Sequence, residues 1–285
     1  MHMSIRTIVL SLAGTFMLCV ALPSHSQDKD LLERIKEKKE IVIATEARYA
    51  PFESVENGKI VGYDEDLMNY VLKALPGVKV TQLDLPFQGL LPGLDAKRFD
   101  LVVSAATVTK DRMNRFAFAL PVADATTGVL LRANDHSINS PSDLNGKVVG
   151  SQVGAATLLA LIAYDKKLKE EGGPGVKEIK QYVGFDEAYA DLAAGRLDAV
   201  AQSVPNLGPL LKARPGVFAV LPATIGPKTY FAWAGRKDAD SASLVKLFSD
   251  GIARANHDGT MKQLQMKWFG MTMDVPSDGM PTPTM

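Results

Sequence analysis

The chain has 285 residues, 46% of them apolar, with 32 basic and 32 acidic side chains and a single cysteine. Zero net charge argues against nucleic acid or an anionic membrane as the partner, and a lone cysteine excludes a disulfide framework or a multi-thiolate metal site. The length is enough for an ordinary hydrophobic core divided between two lobes.

Residues 1–26 are predicted to be a secretory signal peptide. Arg6 gives a positive start, 7–22 is apolar, and Ser24 and Ser26 place small residues three and one before a cut ahead of Gln27. The apolar stretch falls short of the roughly 20 residues that a membrane anchor needs. Cys19 lies inside it, and Leu18 precedes it where a lipoprotein signal has a small residue. The expected product is a periplasmic chain, 27–285, without cysteine. His2 and His25 leave with the signal, and His136 and His257 are far apart. No zinc site, His-based catalytic site or cofactor is therefore expected, and no strand–GxxxxGK–helix phosphate loop is present.

Beyond that point strands and helices alternate. A charged helix is predicted over 30–39, a buried strand over 41–45, and a helix over 64–75 from the spacing of Leu67, Tyr70, Val71 and Ala74. A strand over 78–83, a helix over 89–96 and a strand over 101–104 follow. Residues 128–132 are apolar, Ser142-Asp143-Leu144-Asn145-Gly146 reads as a capped turn, and 148–152 as a strand. A helix over 155–169 leads to the loop Gly172-Gly173-Pro174-Gly175. Then come a helix over 187–194, a strand over 199–203, a strand over 230–235, and helices over 242–256 and 260–268. Residues 271–285 hold Pro, Met, Ser and Thr without periodicity and are expected to be disordered. The alternation implies mainly parallel sheets covered by helices.

Residues 100–112 concentrate the chemistry. An apolar run ends in Ser104-Ala105-Ala106-Thr107, and Arg112 follows five residues later. Small side chains expose backbone N–H groups, hydroxyls add adjustable donors, and a guanidinium grips a carboxylate through two parallel bonds. The segment reads as a carboxylate cradle.

Five stretches, in order, resemble the periplasmic solute-binding proteins for polar amino acids that serve ABC importers. They are Tyr49-Ala50-Pro51-Phe52-Glu53, Gly62-Tyr63-Asp64-Glu65-Asp66-Leu67, Phe87-Gln88-Gly89-Leu90-Leu91-Pro92-Gly93-Leu94, the cradle, and His257-Asp258-Gly259-Thr260 running to Lys267-Trp268-Phe269-Gly270. The resemblance spans about 40–270. It implies an α/β periplasmic binding protein type 2 fold: two lobes, two crossing hinge strands, and a ligand cleft that closes by hinge motion. Carried over, the crossings fall near 123–127 and 222–227. Lobe one is then 27–123 with 227–285, and lobe two is 124–226.

The same resemblance places Tyr49 and Phe87 as aromatic walls, and Ser104, Ala105 and Thr107 as backbone and hydroxyl contacts. Arg112 would hold the carboxylate, and Ala155 and Ala156 would lie at a helix start whose N–H groups point at it. Glu46 would read the ligand's side chain, and Gln152 would line the second lobe. Trp268 and Phe269 are expected in the core, and Glu65, where relatives carry an apolar residue, on the surface. One departure stands out. Ser203 occupies the position where the family usually has an aspartate for the ligand's α-ammonium. Either the ligand lacks a free ammonium there, or Glu46 or Glu53 supplies the charge from the other lobe. The implied function is capture of an amino acid or related small carboxylate and its delivery, by a monomer, to an inner-membrane ABC permease. The alternative is a cyclohexadienyl dehydratase-like enzyme on the same fold, which would need a positioned general acid such as Glu46, Glu53 or Tyr49.

Overall fold

The computed structural model describes residues 29–285; the expected signal peptide and Cys19 lie outside them. The chain opens with α1 (Leu31–Lys38), whose first turn is capped by the Asp30 carboxylate accepting from Glu33 N at 2.9 Å. There follow β1 (Glu40–Thr45), β2 (Arg48–Tyr49), β3 (Glu53–Glu56), β4 (Lys59–Val61), α2 (Tyr63–Val71), β5 (Lys79–Asp84), α3 (Phe87–Asp95), β6 (Leu101–Thr107), α4 (Lys110–Arg115) and β7 (Phe116–Asp124). A second series comprises β8 (Thr127–Arg132), β9 (Val148–Gln152), α5 (Ala156–Glu170), β10 (Glu178–Tyr182), α6 (Phe185–Ala193), β11 (Ala199–Ser203), α7 (Val204–Ala213) and β12 (Phe218–Val220). Last come β13 (Tyr230–Arg236), α8 (Ala242–His257) and α9 (Thr260–Phe269).

These strands make two five-stranded sheets, ordered β5-β1-β6-β13-β7 and β10-β9-β11-β8-β12, and a small antiparallel meander β2-β3-β4. β1 runs parallel to β5 and β6, and β9 parallel to β10 and β11. β6 is buried at every residue, as befits a strand covered on both faces. β13 inserts antiparallel between β6 and β7, so the last third of the chain completes the first sheet. The chain leaves that sheet at 125–126 and returns over 221–229; Ala125 N donates to Thr229 O at 2.8 Å and ties the two passages together.

The first lobe's core gathers Phe52, Tyr63, Phe231 and Phe269, with Phe269 4.9 Å from Phe52 and 5.1 Å from Tyr63. Trp268 departs from its expected core place. It is half-buried, and its indole N–H donates to the Asp66 carboxylate at 2.7 Å, because a buried indole needs an acceptor and the rim supplies one. Glu65 is half-buried too, accepting from Asn69 Nδ2 and Gln82 Nε2 at 2.9 and 3.1 Å.

Residues 271–285 correct the expectation of disorder. They form neither helix nor strand, but Met273 is buried, its N–H donates to Gln265 Oε1 at 2.8 Å, and Thr284 Oγ1 donates to Lys228 O at 3.0 Å. Contacts without a period are invisible to pattern reading.

Candidate functional site

In α/β sheets ligands bind beyond the carboxyl ends of the strands, where the backbone leaves the ladder and helices begin. Here two such edges face each other. From the first sheet come Glu46 just past β1, Phe87 at the start of α3, and Ser104, Ala105 and Thr107 at the end of β6; Tyr49 comes from β2. From the second come Gln152 and Ser203, the last residues of β9 and β11, and Ala155 and Ala156 at the start of α5. These residues line a narrow cleft, closed down until its walls leave room for about one water molecule between them. Thr157 and Phe231 also line it. Thr157 is the next residue after Ala156 and could have been read as part of the same helix start; Phe231, carried in by β13 from far along the chain, left no local signal.

Arg112 is the one sequence-predicted residue that does not line this cavity. It sits at the rim, on the wall of a neighbouring cleft. Its Nη1 donates to Thr107 O at 2.8 Å and its Nη2 to Gly154 O at 2.7 Å, and the guanidinium lies over the Phe87 ring at 5.3 Å. The guanidinium thus bridges the lobes through two carbonyls. Burial pushes its pKa down to about 10, which leaves it charged at neutral pH.

Three further hydrogen-bonded contacts cross the cleft. Gln152 Nε2 donates to Glu46 Oε1 at 2.5 Å and also to Val183 O at 3.0 Å. The Tyr49 hydroxyl reaches Gln202 Oε1 at 2.9 Å and Ser203 Oγ at 3.3 Å. Asn206 Nδ2 donates to Ala50 O at 2.9 Å. Behind Ser203, Gln202 bonds the Tyr189 hydroxyl at 2.7 Å through Nε2. Gln202 and Tyr189 were not singled out from sequence, although a fully buried amide at a strand end is itself a sign of a polar network.

The electrostatics are lopsided. Glu46, 2% exposed, is the only carboxylate among the residues that line the cavity. Burial raises its pKa to about 7 against the pull of the Gln152 amide and the Phe87 backbone N–H. Glu53 is fully enclosed, accepts from Thr45 Oγ1 at 3.2 Å, and does not reach the cavity. Of the two carboxylates the sequence offered for a ligand cation, geometry leaves Glu46. Glu53 instead adjoins Asp64; burial foremost raises both, Asp64 to about 7 and Glu53 well above the usual range, so the pair is best satisfied by sharing a proton. On the opposite wall no side chain caps the start of α5. Its first N–H groups therefore present the positive end of the helix dipole to the cavity. The second-lobe wall at the start of α5 thus suits an anion, and Glu46 on the facing wall suits a cation.

Residues 41–271 match the bacterial extracellular solute-binding proteins, family 3. The chain belongs to that family. The L-cystine-binding protein TcyJ of Escherichia coli (strain K12) is 28% identical over 85% of this chain and 87% of its own length. The lysine/arginine/ornithine-binding periplasmic protein of the same organism is 33% identical over 80% and 86%. An ancestral amino acid-binding protein, described as a precursor of cyclohexadienyl dehydratase, superposes with a TM-score of 0.72 at 27% identity, covering 84% of this chain and 99% of that one. This solute-binding protein accordingly has the two-lobed α/β periplasmic binding protein type 2 fold. The family match takes in all the cavity-lining residues and ends at Met271, so residues 272–285 lie outside it.

Proposed function

We propose that this solute-binding protein captures an amino acid or a closely related small carboxylate in the periplasm and hands it to an ABC permease. The observation that carries the reading is the two-sided cleft between the lobes, with bare helix N–H groups on the second-lobe wall, Arg112 at the rim, and Glu46 on the first-lobe wall. A zwitterion fits that polarity. The relatives named for cystine and for lysine, arginine and ornithine supply the class of solute. With Ser203 neutral and its hydroxyl facing Tyr49, Glu46 is the group that meets the ligand's ammonium or a cationic side chain. The walls stand close, so admission of a solute parts the lobes and release repeats the motion.

The test is a melting screen of residues 27–285 against the amino acids, their N-substituted derivatives and the corresponding deaminated acids. A ligand at 100 times its dissociation constant stabilises by about 2.7 kcal/mol, a rise in melting temperature of roughly 5–10 °C for a chain of this size. Stabilisation by free amino acids alone supports both ends of the site. Stabilisation by N-substituted or deaminated forms alone removes the cation from Glu46 and leaves the anion end intact; no response from any of them ends the proposal.

The enzymatic reading rests on one feature, the protonatable Glu46 inside the cavity, together with the dehydratase lineage of the ancestral neighbour. That neighbour is itself described as amino acid-binding. Binding without turnover is the expected outcome, checked by incubation with prephenate or arogenate and assay for an aromatic product.

A further inference from the structure

We propose that the strap at 271–285 is a positioning element of the binding site: it holds the Arg112 helix and the second interlobe passage in their closed-cleft places. The strap runs from the foot of α9 along the side of the molecule where the chain passes between lobes. Its first residues, Met271–Asp274, wall a groove together with Asp124 at the end of β7, Thr126 of the first passage, and Val204 and Pro205 at the start of α7. Met273 anchors this end in the core, with its N–H on Gln265 Oε1. The far end, Pro281–Thr284, walls a second groove together with Val108, Lys228, Thr229 and Tyr230. There Thr284 Oγ1 donates to Lys228 O at 3.0 Å, and Lys110 N donates to Met285 O at 2.8 Å.

Those two acceptor–donor pairs are in consequential places. Lys228 lies in the passage back to the first lobe, the kind of segment that absorbs backbone rotation when lobes part. Lys110 opens α4, the six-residue helix that carries Arg112. So short a helix has little stability of its own, and its only side-chain cap is Thr109 Oγ1 accepting from Arg112 N at 3.3 Å. The strap adds a second tie to the same turn. Its composition suits that role, since Pro276, Pro281 and Pro283 fix φ and lower the entropy lost on ordering an extended segment. Burial alternates along its end, with Pro281, Pro283 and Met285 half-buried and Thr282 and Thr284 exposed, so one face lies against the first lobe.

The experiment needs no ligand, so its failure is separable from that of the proposed function. Residues 27–285 contain no cysteine. Lys73→Cys in the first lobe and Lys166→Cys in the second therefore give one pair of spin labels across the cleft. Pulsed dipolar spectroscopy reads their separation in the full chain, in a chain ending at Gly279, and in Thr284→Ala and Thr284→Ser. Hydrogen exchange follows the amides of α4, β9 and β11. Ending the chain at Gly279 is expected to shift the distances outward and to speed exchange in α4 about tenfold, with β9 and β11 unchanged. Thr284→Ala should move the distances the same way and Thr284→Ser should restore them. Distances and α4 exchange equal to the full chain's overturn the proposal. So does faster exchange in β9 and β11 alongside α4, which would make the strap a general stabiliser.

Discussion

Glu46 costs the protein stability whenever it is charged, and that cost is measurable. Its ordinary pKa is 4.5 and burial raises it to about 7 in the folded chain. A carboxyl raised on folding binds its proton more tightly in the native state, so its contribution is fully present below pH 4.5. It fades as pH climbs through 7. The gap corresponds to on the order of 3 kcal/mol. Glu46→Gln keeps the shape and an acceptor for Gln152 but removes the charge. Calorimetry should find the variant close to the parent at pH 4.5 and more stable by several degrees at pH 8. Equal melting temperatures across that range would mean that Glu46 is solvated.

Arg112 gives the complementary prediction. Arg112→Ala leaves the carbonyls of Thr107 and Gly154 without their donor and removes the charge at the anion end. Titration with the amino acid selected by the melting screen should show affinity falling by roughly two to three powers of ten, the consequence of losing about 3–5 kcal/mol at a desolvated carboxylate. Wild-type affinity would confine Arg112 to the carbonyl bridge it makes here. At this scale the sequence was legible where side chains sit at strand ends. Ser104, Thr107, Gln152 and Ser203 announce themselves as polar or small residues closing apolar runs. The partners of Ser104, Gln152 and Ser203, brought in from segments 58, 106 and 154 residues away, do not.

Among the elements, most helices and the fully buried apolar strands were legible, whereas β7 and β10, which mix buried, half-buried and exposed positions, and the shortest strands were not. β9 and β11 fall where the pattern puts them, and α8 and α9 lie within one residue of the predicted ends. The meander β2–β4 went unseen because its strands are only two to four residues long and their burial follows no regular alternation. α7 was hidden by Pro205, which costs a helix little in its first turn, and by Pro209, which stands inside the helix and gives up one backbone bond. The meander nonetheless positions Tyr49 and depends on a glycine. Gly62 has φ of +145°, and a Cβ there would stand 2.0 Å from Phe52 O. No rotamer relieves a backbone clash, so Gly62→Ala must displace either Phe52, at the centre of the aromatic cluster, or the start of α2. Thermal unfolding should show a loss above about 4 kcal/mol, in the range reserved for strained backbone and disrupted cores. A loss under about 1 kcal/mol would mean that the Phe52–Gly62 junction yields freely.

For the whole molecule the question is what holds the lobes together. Apolar packing is continuous from one lobe to the other through Tyr49 against Phe185, and beside it stand four polar ties at Glu46–Gln152, Tyr49–Gln202/Ser203, Arg112–Gly154 and Asn206–Ala50. Two of these can be cut without touching either charged end of the cavity. Tyr49→Phe deletes the hydroxyl and keeps the ring against Phe52 and Phe185, 5.8 and 5.7 Å away; Asn206→Ala deletes the tie to Ala50. At about 1 kcal/mol for each of the two or three hydrogen bonds lost, the pair should move the balance between closed and open forms roughly 30- to 150-fold toward open. A compact chain of the size of 27–285 has a radius of gyration of about 18 Å. Small-angle scattering of the double variant should exceed the parent's value, and saturating ligand should bring it back. An unchanged radius with and without ligand would mean that the polar ties follow closure rather than maintain it, leaving the interlobe passages and the strap beside them to set the angle.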